Sequence, residues 1–249
     1  MKIAQRMWIR IAVILPLALA AAFFLPRDSD QYRPFSPTMV AGDHFTIDAG
    51  KLHPTQMTVS YREVAYKANS FRKMSLAKVI SVFQKKVLPV VIGPGGIPYL
   101  TDRHHTVRAL IESKVADKTA YGQVIANWSQ MGTAEFWEKM RQSNYVLLVD
   151  SFQNPIDPAS LPTSLSECAN GPYRGLVWAV ERAGGIEERN DVYFQEFAWV
   201  GYFRPLVQWD EADDADFKRA VAAALILAHD PAAANLPGYS LTPLPPQKD

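Results

Sequence analysis

Residues 11–25 (IAVILPLALAAAFFL) form an uncharged run, preceded by Lys2, Arg6 and Arg10 and closed by Pro26-Arg27-Asp28. A basic start followed by an apolar core is the pattern of an export signal. Ala18/Ala20 and Ala20/Ala22 each satisfy an A-x-A cleavage rule. The 19 residues from Met7 to Leu25 carry only Arg10 as a charge, within the ~17–25 that span a bilayer, so an uncleaved anchor with a cytoplasmic N-terminus is the alternative. Export follows from either, to the periplasm, to the outside, or to the inner membrane as an anchored domain. Residues 28–43 (DSDQYRPFSPTMVAGD) are polar, Pro-punctuated and aperiodic, which reads as a linker.

Beyond it the rhythm changes. Tyr61, Val64, Ala65, Ala68 and Phe71 recur at helical spacing, and Ser75 opens a second run through Leu76, Val79, Ile80 and Phe83. The β-rich run 88–92, the Gly93-Pro94-Gly95-Gly96 turn and the run 97–100 predict a hairpin. Thr101 or Asp102 then caps a helix with Val107, Ala109, Leu110 and Ile111 inward. Residues 121–126 predict a strand, and Thr133 caps a helix carrying Phe136, Trp137 and Met140. Residues 146–149 read as a strand or buried extended segment. Helices are expected at 175–183, 194–203 and 212–228, before a Pro-rich end. The division is an export or anchor segment at 1–26, a linker at 27–45, a main domain at 46–207, a C-terminal helix at 208–230 and a tail at 231–249. The fold class is α/β (α+β), with a small mixed sheet and a helical C-terminal half.

Composition narrows the function. The 249 residues carry 26 Lys+Arg against 25 Asp+Glu, a formal +1, and are 48% hydrophobic. Cleaving residues 1–22 removes three basic groups and no acid, turning +1 into −2. A slightly acidic domain lacks the cation density that non-specific DNA binding needs. Cys168 is the one cysteine and cannot form an internal disulfide. With no C-x-x-C it reads as inert. No G-x-x-x-x-G-K-[ST], G-x-G-x-x-G or G-x-S-x-G pattern occurs, which removes support for P-loop ATPases, Rossmann dehydrogenases and α/β-hydrolases.

The densest polar cluster is Thr101-Asp102-Arg103-His104-His105-Thr106-Val107-Arg108, directly after the hairpin. A helix start presents unpaired N–H groups and partial positive charge, so an anion is favoured there. Arg103, His104, His105 and Arg108 add a phosphate or carboxylate cradle, with Arg108 three to four residues beyond the histidines and so on their face. Asp102 serves as a cap, as an orienting group for a His, or as a Mg²⁺ ligand on a bound nucleotide. The two adjacent His point about 100° apart and lack a second ligand pair, so no protein-held metal is expected. Tyr173 and Arg174 sit at the start of a later helix as substrate-binding candidates. Glu196 lies among apolar neighbours, where a carboxyl has a raised pKa or an Arg partner, Arg174 or Arg204.

Six co-linear segments between Leu52 and Arg204 carry a resemblance: Leu52-His53-Pro54-Thr55-Gln56, Leu88-Pro89-Val90-Val91 through Tyr99-Leu100-Thr101-Asp102-Arg103-His104-His105, Ala134-Glu135-Phe136-Trp137, Leu161-Pro162-Thr163-Ser164-Leu165, Pro172-Tyr173-Arg174-Gly175-Leu176-Val177-Trp178-Ala179-Val180 and Glu196-Phe197-Ala198-Trp199. The chain resembles the ParB-like putative nuclease family of the ParB/sulfiredoxin superfamily. That resemblance implies a compact α/β domain whose strand-turn-helix motif binds nucleotide phosphates, with Asp102 to His105 at the phosphate-contacting turn. Superfamily members include CTP-hydrolysing partition proteins, ATP-using sulfiredoxins and an ADP-dependent serine kinase. No Cys lies between Asp102 and Arg108, against the sulfiredoxin reaction, and no DNA-binding helix-turn-helix or basic surface is seen.

The expected function is an exported domain that binds a phosphate-containing small molecule or nucleic acid fragment and catalyses phosphodiester hydrolysis or phosphoryl transfer. Arg103 would clamp phosphate, His104 or His105 would serve as acid and base, Asp102 would orient a His or hold Mg²⁺, and Glu196 would be a second carboxylate. The rival expectation is a non-catalytic envelope protein that binds a ligand or partner at the same turn.

Overall fold

The computed structural model describes residues 31–189 and 191–247; the predicted export or anchor segment lies outside them. The strands are β1 (Arg33–Pro34), β2 (His44–Asp48), β3 (His53–Pro54), β4 (Thr58–Val59), β5 (Leu88–Ile92), β6 (Pro98–Leu100), β7 (Thr119–Asn127) and β8 (Ala169–Asn170). The helices are α1 (Tyr61–Arg72), α2 (Leu76–Lys85), α3 (His104–Glu112), α4 (Thr133–Gln142), α5 (Pro172–Arg182), α6 (Gln195–Phe203) and α7 (Asp214–Ala228). Among the described residues, six strands form one mixed sheet in the order β1-β2-β7-β5-β6-β3, and β4 pairs with β8 beside it. No helix among them is long and apolar enough to cross a membrane.

β7 alternates inward Ala120, Gly122 and Val124 with half-buried neighbours, and it runs antiparallel to β2 and parallel to β5. Gly122 is required by close approach: a Cβ there would lie 2.3 Å from Phe45 Cζ on the paired strand. β5 reads as an unbroken apolar run because both its faces are covered. Leu88, Val90 and Ile92 join the core that also holds Val64, Phe71, Phe83 and Leu110, while Val91 packs with Phe136 and Met140 of α4. The predicted hairpin is present, with β5 antiparallel to β6 and Val90 opposite Leu100.

Both early helices start as their serines predict: Ser60 Oγ accepts the Glu63 N–H, and Ser75 Oγ accepts the Lys78 N–H. Two caps differ from expectation. Arg103, in the left-handed region at φ 65°, precedes α3 in place of a Thr101 or Asp102 cap. Gly132 precedes α4, making Thr133 the first helical residue. The segment 146–149 is extended, with isolated bridges from Leu147 to Gln56 and from Val149 to Pro155.

The stretch read as a linker is partly built into the sheet. β1 pairs in parallel with β2, and Phe35 packs edge-on against Phe45 at 5.3 Å. A two-residue strand leaves no periodicity to detect. The Pro-rich end also folds back, its Leu244 and Gln247 amides donating to Gly184 O and Arg182 O. The helical C-terminal half has its own core, in which Leu176, Val177 and Val180 of α5 meet Trp199 and Phe203 of α6 and Ala220, Ala224 and Ala228 of α7. α5 packs against α1 as well as α6 and α7, so the first turns of α1, α3 and α6 and one stripe of α5 converge.

Candidate functional site

The convergence encloses a cavity of about 670 Å³. Asp102, Arg103, His104 and His105 line it from the start of α3, Arg174 from α5 and Glu196 from α6. Six of the eight residues singled out in the sequence therefore meet in one place. Arg108 and Tyr173 are turned elsewhere. The Arg108 guanidinium donates to Glu112 Oε1 at 2.6 Å and Cys168 O at 2.5 Å and lies over the Tyr61 ring, so its charge ties α3 to the segment before β8. Tyr173 is one position from Arg174, hence about 100° around α5, and its hydroxyl donates to Val207 O at 2.8 Å.

The floor is a buried ion network that the sequence reading missed. Glu63 Oε1 accepts from Lys67 Nζ at 2.5 Å, and Glu63 Oε2 lies 3.3 Å from Arg174 Nη1 and 3.5 Å from His105 Nε2. Arg174 Nη2 donates to Glu196 Oε1 at 2.5 Å. Burial alone would raise the Glu63 carboxyl, but the Lys67 ammonium and the Arg174 guanidinium beside it hold it well below the usual carboxylate range. Gly175 lets α5 approach this closely, since a Cβ there would stand 2.7 Å from Ser60 Oγ.

A local signal for Glu63 exists, and it points the wrong way. Ser60-x-x-Glu63 is a capping-box sequence, in which the Glu carboxylate reaches back to the Ser amide. Here the Ser60 N–H donates to His105 Nε2 at 2.9 Å instead. The freed carboxylate turns to Lys67 and Arg174.

Both imidazoles are anchored through Nε2. His104 Nε2 accepts the Thr55 N–H at 3.1 Å, as His105 Nε2 does that of Ser60. An acceptor Nε2 places the proton on Nδ1. Burial lowers His104 to about 4, with Asp102 opposing in part, and burial also lowers His105 well below its ordinary value. Both are neutral at pH 7.

Arg103 differs from Arg174 and Arg189, the cavity arginines held in ion pairs. Among the described residues its side chain makes no hydrogen bond or ion pair, and its Nε is buried without an acceptor. Its amide donates to Asp102 Oδ1 at 2.6 Å. A non-glycine residue held at positive φ costs roughly 1–2 kcal/mol, strain that is commonest at working sites. The first turn of α3 has neither a side-chain cap nor an acid, unlike that of α6, where Glu196 answers the helix dipole.

No group of three or more His, Cys, Asp or Glu that could hold a metal exists among the described residues. Asp102 is a single carboxylate, so the donor set does not fit a protein-held metal, and no step below is routed through one. Cys168 is buried, and burial, which the nearby Arg108 opposes only in part, pushes its thiol up to about 12.

The chain is thus a mixed-sheet α/β domain whose uncapped strand-turn-helix opens on a charged cavity. The family model described as "Putative ParB-like nuclease" matches residues 45–205, and the chain belongs to this ParB-like nuclease family. The crystal structure of protein Atu1540 from Agrobacterium tumefaciens is similar, at 30% identity and TM-score 0.70, covering 79% of this chain and 97% of that one. No curated protein matches the chain.

Proposed function

We propose that this ParB-like domain is exported, binds a phosphate-containing ligand at the first turn of α3, and hydrolyses phosphate esters there. One observation carries the binding reading: Arg103, strained and without a protein acceptor, shares the cavity wall with an uncapped, acid-free helix start. Such a turn offers amide donors, a helix dipole and one free guanidinium to a single anion. His104 and His105, neutral and buried, fix the turn through their bonds to the Thr55 and Ser60 amides. Asp102 holds the turn through the Arg103 amide. Glu196 keeps Arg174 in place. A phosphate mono- or diester, free or within a nucleic acid fragment, fits this chemistry, and hydrolysis requires no nucleotide supply outside the cytoplasm. Export rests on the basic-then-apolar segment at 1–26.

Calorimetric titration of the full chain with inorganic phosphate and a phosphodiester, alongside a product-release assay, tests the reading. Arg103→Ala should weaken phosphate binding at least tenfold. Undiminished binding in that variant would refute the assignment. Fractionation of expressing cells, with mass determination of the N-terminus, tests export and separates cleavage from anchoring.

A second reading, ligand capture without turnover, has one observation in its favour. Both imidazole Nε2 atoms are already occupied by backbone amides, so neither is free to accept a proton from water. Binding with no product release would establish it.

A further inference from the structure

Occupied Nε2 atoms leave a hydrolytic site without an evident proton carrier, and the cavity holds one more ionisable group. Glu181 lies on the cavity-facing stripe of α5, seven residues after Arg174 and three after Trp178, both of which line the same wall. It is buried, at 8% exposure, and its carboxyl makes no hydrogen bond or ion pair with any described residue. The neighbouring cation is already committed, since Arg174 spends its guanidinium on Glu63 and Glu196.

Two carboxyls in one cavity are thus driven apart. Glu63 has Lys67 at 2.5 Å and Arg174 at 3.3 Å and is ionised. Glu181 is buried without a hydrogen-bond or ion-pair partner and faces Glu63 on α1, Glu196 on α6 and Glu188 in the loop after α5, with Arg174 opposing them and Lys67, Arg103, Arg182 and Arg189 lining the same cavity. A buried carboxylate without a partner gives up its charge by taking a proton. Burial first and the three acids second raise Glu181 to about 8. Carboxyls separated in this way commonly divide acid and base work.

We infer that Glu181 is the proton donor of the site, passing its carboxyl proton to the ester oxygen that leaves phosphorus. This rests on the hydrolytic reading above. Water forms the new P–O bond and releases one proton to solvent. The P–O bond to the leaving group breaks, its electron pair stays on the leaving oxygen, and that oxygen takes the Glu181 proton. The product is an alcohol and a phosphate, and the Glu181 carboxylate is reprotonated from water. Nothing is oxidised or reduced.

The test compares full-length wild type with Glu181→Gln on two esters, one with an alkyl alcohol leaving group and one with p-nitrophenolate. A proton donor matters for the poor leaving group and little for the good one. The kcat on the alkyl ester should fall by about 10²–10⁴, the range for general acid catalysis, while kcat on the nitrophenyl ester falls less than about fivefold. The alkaline limb of the wild-type pH profile should lie near 8 and vanish in the variant. The affinity for inorganic phosphate, and the melting temperature at about pH 4, where Glu181 is largely protonated both folded and unfolded, should be unchanged, which separates loss of a proton donor from loss of fold. From pH 6 to 9 the wild-type melting temperature should drop relative to Glu181→Gln. Equal losses on the two esters, a retained alkaline limb or a constant melting difference would overturn the Glu181 role alone. A wild type that binds phosphate and hydrolyses neither ester would overturn the hydrolytic reading, and this inference with it.

Discussion

Glu63→Gln is the sharpest perturbation of the cavity floor. The substitution preserves shape and leaves the Ser60 cap on α1 intact, while removing the anion between Lys67, Arg174 and His105. Lys67, with 32% of its side chain exposed, turns to water; Arg174, at 7%, cannot, and retains only Glu196. Breaking a buried ion pair from one side costs ~3–5 kcal/mol. Because Arg174 keeps one partner and Lys67 reaches solvent, the low end applies, about 3 kcal/mol at pH 7. With a urea slope of roughly 2 kcal/mol/M, the unfolding midpoint should drop by ~1.5 M. The pH dependence supplies a second signature. The folded carboxyl is held well below its ordinary value of 4.5, so the unfolded chain binds the extra proton first as pH falls. This stability is complete above about pH 5 and is lost as pH drops below the unfolded value. The wild-type and Gln curves should therefore converge in acid. A midpoint shift under ~0.5 M, or a gap that does not change with pH, would refute the buried network.

Arg103→Gly should stabilise the fold by about 0.5–1 kcal/mol, because glycine adopts positive φ without strain, while phosphate affinity drops at least tenfold; urea melts and calorimetry read the two effects, and a destabilised variant would contradict the strain argument. Nitrogen NMR at pH 7 should show His104 and His105 neutral with the proton on Nδ1, and His104 should titrate only near 4. Its folded value lies below the ordinary 6.5, so its contribution to stability is complete above about 6.5 and is lost as pH falls toward 4. An Nε2–H signal would remove the backbone anchoring of α3. The Cys168 thiol should react with an aromatic disulfide at pH 8 only as fast as the chain unfolds; rapid labelling of the native protein would show the site to be open.

Much of the local architecture is set by terms acting within a few residues. Ser60 and Ser75 start their helices through side-chain bonds to amides three positions on, Gly95 and Gly96 supply the positive φ of the hairpin turn, and the period of Val64, Ala68 and Phe71 buries one face of α1. The polar turn from Asp102 to His105 was legible for the same reason, as an interruption between two apolar patterns. Isolated cysteine needed only counting. β1 escaped because two paired residues carry no pattern.

The chemistry of the cavity depended on distance in space. His105 takes the Ser60 amide from 45 positions away, which cancels the capping box that residues 60–63 spell out and releases Glu63 to Lys67 and Arg174. Lys67, four positions on, gives Glu63 a local partner, but the burial of Glu63 and Glu181 and the allocation of Arg174 to Glu63 and Glu196 are set by α1, α5 and α6 meeting in space. Arg108 and Arg103 are equally basic in sequence, yet Glu112 and the Cys168 carbonyl claim the first and no described acceptor claims the second. Propensity and periodicity are local, whereas desolvation and charge pairing sum over whatever the fold brings within a few ångströms.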